Sequence, residues 1–443
     1  MLTLEVYRCP GSARSLTESF DKIATHVNSD FKPIVAPTRR FQANLLLLPE
    51  NIIDASMYST SLAMTSSAST LRSEVYTKGS ALLGVSITAE SAGIPEAPAS
   101  ARLFILYDAS QNSDEVKQLL KDCQEIFPGN FSEIRIRTNP PRLANDLDDL
   151  IAAEVPSAEE VAASYVLAQP EAKLLARAVK STGDVLSNAL PGLLSKQEKI
   201  DVQAAREALL ESGVLQSEMV VMCRKTGSLV NRIPDSDVLD KLTKLQVRCS
   251  CGESMDNEDI EEALRVSPLG YKLLDKSQWM NVVLVNELLL LGIPIAEIFI
   301  EQQFGGDEVD CLAIISGDLV LFELKDGEFN LGHAYSFNAK NGLLNPDVSV
   351  VITTNRVGND AKEHFERTRK ALESSRRGRV RTDNTTPILM EGMEELRADL
   401  EKLMNRLVAR DARRLLQNIL DTVAFRAMPV IMNMTGDQSA DEE

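Results

Sequence analysis

The stretch "GDEVDCLAIISGDLVLFELKDGEF", residues 306–329, constrains the fold more than any other, because two apolar runs there carry Asp310, Glu323 and Lys325. Residues 309–315 and 319–325 both read as strands, and Gly317-Asp318 between them is a two-residue hairpin signal. With Ser316 opposite Leu319, the ladder runs Ile314 to Leu321, Leu312 to Glu323 and Asp310 to Lys325. Opposed residues share a sheet face, as do residues two apart on one strand, so Asp310, Glu323 and Lys325 are expected on one face. Cys311, Ala313, Val320, Phe322 and Leu324 fall on the other, as in a strand packed on a core. Two neighbouring carboxylates repel, and burial makes this costly unless a cation lies between them. Oxygen ligands of this kind suit a hard divalent ion such as Mg²⁺ or Mn²⁺. An ammonium beside that ion can orient water or neutralise charge developing on a phosphate.

Asp310, twelve further residues, then Glu323-Leu324-Lys325 among apolar strands resembles the motif of the PD-(D/E)xK nuclease superfamily, the restriction endonuclease-like fold. The resemblance covers about residues 270–360. Val309 stands where the motif has its leading Pro. After Lys325 the chain reads as a helix and then a buried strand, Val348 to Thr353, the crossover such a fold requires. Before the hairpin, an apolar helix from about Ser277 to Leu291, stopped by Gly292-Ile293-Pro294, contains Glu287. The resemblance implies that Glu287 joins Asp310 and Glu323 as a metal ligand. It implies a catalytic set of Glu287, Asp310, Glu323 and Lys325, with Mg²⁺ or Mn²⁺ as cofactor and endonucleolytic hydrolysis of DNA, or of RNA, as the activity. His333 on the following helix is a candidate phosphate contact.

Composition narrows the partners. With 47 Lys and Arg against 65 Asp and Glu, the formal net charge is −18, which excludes a protein that coats nucleic acid with its whole surface. Contact must be local, and residues 361–382 offer it: Arg376, Arg377, Arg379 and Arg381 are spaced to meet consecutive phosphates. Six scattered cysteines, no basic-then-apolar leader and no run of 18 apolar residues point to a cytoplasmic chain with free thiols and no membrane contact. Cys223 with Cys249 and Cys251 in "VRCSCGES" hints at zinc. The spacing falls short of two CxxC knuckles, and Thr226 stands where a partner cysteine belongs, so the expectation is a chain without zinc.

A chain of 443 residues accommodates several domains. An α/β multidomain architecture is expected. Residues 1–150 read as a Rossmann-like α/β domain, in which the run Asn44 to Leu48, the strand Arg102 to Tyr107, the helix Ser113 to Ile126 and the strand Ser132 to Arg137 build a parallel βαβ sheet. Residues 155–270 turn helical, and a helix ended by Ser212-Gly213 before a strand Glu218 to Met222 resembles the last helix and wing of a winged helix. Residues 271–435 are expected to form the α/β/α nuclease domain with C-terminal helices. There Met393, Leu396, Leu400, Leu403, Leu407, Leu415, Ile419 and Val423 recur at helical spacing, interrupted at Arg410 and Asp411. Residues 436–443 read as a disordered acidic tail. The layout is similar to effector nucleases of prokaryotic immunity, in which a sensor precedes the nuclease. The alternative is a catalytically silent scaffold of the same fold that holds a protein or nucleic-acid partner. The N-terminal domain or the C-terminal helices are the candidate surfaces for a homo-oligomer or protein partner. Replacing Arg376, Arg377, Arg379 and Arg381 with Ala should weaken nucleic-acid binding and flatten its salt dependence, because fewer counterions are released. Filter binding across a salt series checks this, and an unchanged slope reassigns the cluster to a loop without a partner.

Overall fold

The computed structural model describes residues 2–30, 32–33, 69–78, 81–89, 94–127, 129, 131–133, 150–193, 201–304, 306–375 and 386–417. They form three sheets flanked by helices, a mixed α/β arrangement, and no described helix is long and apolar enough to cross a membrane.

The first sheet has the order β2-β3-β4-β5-β1-β6, built from β1 (Leu2–Ser12), β2 (Lys32–Pro33), β3 (Ser69–Lys78), β4 (Ala81–Ala89), β5 (Pro98–Asp108) and β6 (Ser132–Glu133). Two helices, α1 (Ala13–Asp30) and α2 (Ala109–Ile126), bury Leu16, Phe20, Val116 and Leu119 against Val85, Leu103 and Ile105 of the sheet. The expected parallel sheet does not form: every pairing among the described strands of this sheet is antiparallel. The reason is β1, which inserts between β5 and β6 and runs against both. β5, α2 and β6 still make a βαβ crossover, but a split one. The run Asn44 to Leu48 lies outside the described residues, as do residues 134–149.

The second sheet, β7-β10-β8-β9, comprises β7 (Val185–Leu186), β8 (Leu215–Met222), β9 (Leu229–Ile233) and β10 (Asp259–Val266). Its helices are α3 (Ala158–Ala168), α4 (Pro170–Thr182), the single turn α5 (Leu190–Leu193), α6 (Val202–Glu211) and α7 (Ser236–Lys244). Then come α8 (Pro268–Leu274) and α9 (Gln278–Leu290), whose apolar residues merge the central and C-terminal regions. Leu167, Leu175, Leu209, Trp279, Val283, Leu288, Phe322 and Leu407 all belong to one continuous core. The boundary expected at residue 270 is therefore a boundary in sequence that the packing crosses.

The third sheet runs β11-β12-β13-β14-β15: β11 (Ile298–Phe304), β12 (Asp307–Ile315), β13 (Asp318–Lys325), β14 (Val348–Thr353) and β15 (Ile388–Glu391). The first three strands pair antiparallel and the last three parallel, with α10 (Leu331–Leu344) crossing from β13 to β14 and α11 (Asn359–Ser375) from β14 to β15. On one face Cys311, Ala313, Val320 and Phe322 pack with α9 and with α12 (Leu396–Gln417). On the other, Leu312, Leu319, Leu321 and Val351 pack under Ala334 and Phe337 of α10 and Phe365 of α11. Helix α12 is single, and Arg410, which breaks its apolar stripe, reaches the fully buried Asp318 carboxylate at the start of β13. Ile419, Val423 and residues 436–443 fall outside the described residues.

The hairpin turn is Ser316-Gly317, not Gly317-Asp318. Both residues have positive φ, +52° and +81°, the pattern of a tight type I′ turn that suits the strand twist. Ile315 then pairs with Asp318, Leu312 with Leu321 and Cys311 with Phe322. One step further along this register, Asp310 stands opposite Glu323 rather than Lys325. Phe337 is fully buried between Phe329 and Phe365, and it fixes α10 above this hairpin. Phe337→Ala should cost about 3–5 kcal/mol of unfolding free energy, measured by urea denaturation. A cost below about 1 kcal/mol would show that α10 is not packed as described.

Candidate active site

Asp310, Glu323 and Lys325 extend rows that are otherwise Leu312, Ile314, Leu319 and Leu321, at the open end of the sheet face covered by α10. Asp310 is positioned through the backbone: the Leu324 N–H donates to its Oδ2 at 2.7 Å. Glu323 is met by Lys340 of α10, whose Nζ lies 2.7 Å from Oε2, with both side chains largely buried. Among the described residues no hydrogen bond or ion pair engages the Lys325 ammonium. His333, in the first turn of α10, forms a capping box with Asn330 and lies within electrostatic reach of Lys325. Burial, and then the Lys325 charge, lower the basicity of its imidazole.

The electrostatics separate this pair of acids from an ordinary ion-pair network. Burial pushes the Asp310 carboxyl up, and the Leu324 N–H, Lys340 and Lys325 only partly oppose it. Burial, and next the Asp310 charge, push Glu323 up to about 7 despite Lys340. Asp326, one residue past Lys325, shows the contrast. Burial acts upward there too, yet Lys173 and Arg177 at 2.6 Å and Trp279 Nε1 at 2.9 Å outweigh it and hold the carboxyl below its ordinary value. Asp326 is compensated by the protein itself and ties β13 to α4 and α9. The Asp310–Glu323 pair is short of positive charge.

Glu287 is not brought to these residues, contrary to its expected place among the metal ligands. Helix α9 packs on the opposite sheet face, and Glu287 is buried there, receiving Arg397 Nε at 2.6 Å and the Tyr165 hydroxyl. Among the described residues no third carboxylate, histidine or cysteine converges with Asp310 and Glu323. Glu301 comes nearest in register, since its neighbours Ile300 and Gln302 pair with Cys311 and Val309. Its backbone is left-handed, with φ of +53°, and its carboxylate is engaged by Gln278. Arg376, Arg377, Arg379 and Arg381 lie outside the described residues.

Lys340 is the site residue that sequence reasoning missed. It stands three residues after the buried Phe337 and four before the buried Leu344, so helical spacing puts it on the buried stripe of α10. A lysine on such a stripe needs an acid beneath it.

Two carboxylates of this kind fit a hard divalent cation that fills the rest of its shell with water and phosphate, as Mg²⁺ commonly does. No family model matches this sequence, and no curated protein is similar to it. A partial likeness joins it to a solved structure, the crystal structure of protein VC1899 from Vibrio cholerae, at 12% identity and a TM-score of 0.33, over 63% of this chain and 63% of that one. A likeness of that size assigns neither fold nor chemistry.

The raised Glu323 pKa predicts a pH effect in the metal-free protein. The folded chain holds a proton on Glu323 up to about pH 7, whereas the unfolded chain releases it near 4.5. The contribution of this group to stability is therefore greatest below about pH 4.5 and is lost as pH rises through about 7. In chelator, urea midpoints of the wild type and Glu323→Gln should diverge over that range, the wild type losing more stability as pH rises. Parallel curves would place Glu323 in contact with solvent.

Proposed function

We propose that the protein is a metal-dependent nuclease of the PD-(D/E)xK kind, hydrolysing phosphodiester bonds of DNA, or of RNA, at Asp310, Glu323 and Lys325. The observation that carries the reading is the largely covered pair of carboxylates with too little positive charge around it, beside an ammonium that no ion pair among the described residues engages. The order of helix, three antiparallel strands, helix and parallel strand supports it, because it places both strands of the motif at one end of one face.

In this reading Asp310 and Glu323 are the protein's oxygen ligands. A bound divalent ion supplies Lewis acidity and a water acidic enough to become a nucleophile near neutral pH. Glu323 would hold such an ion as its deprotonated carboxylate, and Lys340 would share that carboxylate with it. Lys325 neutralises charge growing on the phosphoryl oxygens or orders the attacking water. His333, kept neutral beside Lys325, contacts the phosphate next to the scissile one. The N-terminal sheet and the central module serve as sensor and connector in a regulated effector of prokaryotic defence. A second reading, a silent scaffold, draws on the Lys340–Glu323 ion pair, which gives Glu323 a cation from the protein itself.

The test is incubation of the purified chain with single- and double-stranded DNA and with RNA, with and without Mg²⁺ or Mn²⁺. Metal-dependent cleavage by the wild type is the expected result. Lys325→Ala leaves both carboxylates, so metal should still bind while hydrolysis falls by roughly two to four orders of magnitude. Asp310→Ala should lose metal binding and cleavage together, because one carboxylate rarely holds a hard cation. Cleavage by Lys325→Ala at the wild-type rate would remove these residues from the site. A wild type that binds but never cuts would establish the scaffold.

A further inference from the structure

The tip of the central sheet is a small lobe with little to hold it together. Its apolar cluster buries Val221, Ile233 and Met255, with Met219, Val230, Val238, Leu239, Leu242 and Val247 partly covered. Helix α7 buries no residue, and Leu245 after it is 75% exposed. Apolar burial on this scale contributes little to ordering the lobe beyond its attachment to the sheet, and small units of this kind commonly carry a covalent or metal cross-link.

Two turns of like design bring cysteines to the edge of that lobe. In one, the Cys223 N–H donates to Ser228 O at 2.8 Å and the Gly227 N–H to Cys223 O at 2.7 Å. In the other, the Cys249 N–H donates to Glu253 O at 2.9 Å and the Gly252 N–H to Cys249 O at 2.8 Å. Gly227 and Gly252 both sit in the left-handed region, at φ of +67° and +94°. Glu258, just before β10, completes the group: the Arg224 N–H donates to its Oε2 at 2.6 Å, and the Cys251 thiol lies 3.1 Å from Oε1. The three sulfurs and a Glu258 oxygen all lie within 4.8 Å of one another. Cys223, Cys249 and Glu258 are each less than 5% exposed.

We propose that Cys223, Cys249, Cys251 and Glu258 form a structural zinc site that staples the end of β8, the loop after α7 and the start of β10. Thiolates are soft ligands that select zinc over hard cations, and four protein ligands leave no open position for catalysis. A zinc tetrahedron with sulfurs about 2.3 Å from the ion has edges of about 3.8 Å, which the observed cluster reaches with small adjustments. Three thiolates and a carboxylate around Zn²⁺ carry excess negative charge. Arg224 and Lys225 lie within electrostatic reach of the cluster while also pairing with Asp259 and Glu253, and Arg248 donates to Gly252 O at 3.0 Å. In this proposal the fourth ligand is a glutamate seven residues beyond Cys251, where a search for a second CxxC does not look.

The experiment is metal analysis of the full chain, purified without metal-affinity resin. About one equivalent of zinc per chain is expected, falling below about 0.2 in Cys223→Ser and Cys249→Ser, and remaining near one in Asp310→Ala. Because a cysteine variant can fail to fold, the wild type supplies an independent readout: X-ray absorption at the zinc edge should show a first shell dominated by sulfur. Strong chelation should expose residues 223–258 to protease while residues 271–375 stay protected. Full-length protein that is zinc-free as purified and takes up none on addition would overturn the proposal. A disulfide among these cysteines in protein kept under reducing conditions, or zinc lost with Asp310→Ala, would overturn it as well.

Discussion

The repulsion between Asp310 and Glu323 is the constraint on which the C-terminal part of the structure turns. Both carboxylates continue rows of leucines, so the sheet delivers them into the cover of α10 and away from bulk water. Low local dielectric makes their mutual repulsion strong, and it makes any cation placed between them correspondingly well held. Helix α10 enforces this in two ways. Ala334, Phe337 and Leu344 exclude water from the face, while Lys340 supplies one positive charge, enough to keep the pair folded but not enough to return Glu323 to an ordinary acidity. Asp326 shows what full compensation looks like just past the same strand, with two cations and an indole N–H around one carboxylate. The protein can satisfy a buried acid; at Asp310 and Glu323 it stops short.

How much of this was legible depends on whether the signal is local. The common face of Asp310, Glu323 and Lys325 was readable because side chains alternate with period two. Moving the turn from Gly317-Asp318 to Ser316-Gly317 shifts the pairing by two residues in sum and leaves every side chain on its expected face. The turn itself was misplaced because a serine with φ of +52° is tolerated where glycine or asparagine is usual. Lys340 carried a usable signal in its place on the stripe of α10. Glu287 did not. An acid in an apolar helix says that a partner exists, and only packing shows that the partner is Arg397 rather than a metal. Likewise the order of β5, α2 and β6 was readable, while the insertion of β1 between the two strands is a long-range event that no local pattern records.

Helix α12 accounts for the interruptions in its own sequence. Its apolar stripe of Leu396, Leu400, Leu403 and Leu407 belongs to the shared core, and three of its polar residues each meet a different part of the chain. Arg397 holds Glu287 on α9, Asn405 accepts the Leu2 N–H of β1 at 2.8 Å, and Arg410 reaches Asp318 at the base of the hairpin. One rigid element thus touches the N-terminal sheet, the first helix of the C-terminal region and the strand that carries Glu323 and Lys325. Burying Asp318 and Glu287 without these arginines would leave charges in the core, so the breaks in the stripe are requirements of the fold.

The chain also keeps hard and soft ligands apart, and strand geometry is the means. Cys311 is adjacent in sequence to Asp310, and a thiolate at the carboxylate pair would draw soft metals to the site proposed for Mg²⁺ or Mn²⁺. Alternation turns Cys311 to the α9 face, where it is fully buried and burial pushes its thiol up, so it is neither a ligand nor a nucleophile at neutral pH. The reverse holds at the Cys223 cluster: three sulfurs outnumber the single carboxylate, and the arginines and lysine around it suit an anionic zinc–thiolate centre. A site with two carboxylates leaves coordination positions open to water and substrate, whereas a closed thiolate site encloses its ion as part of the fold. One-residue alternation at Asp310 and Cys311 keeps the thiol off the face that carries the two carboxylates.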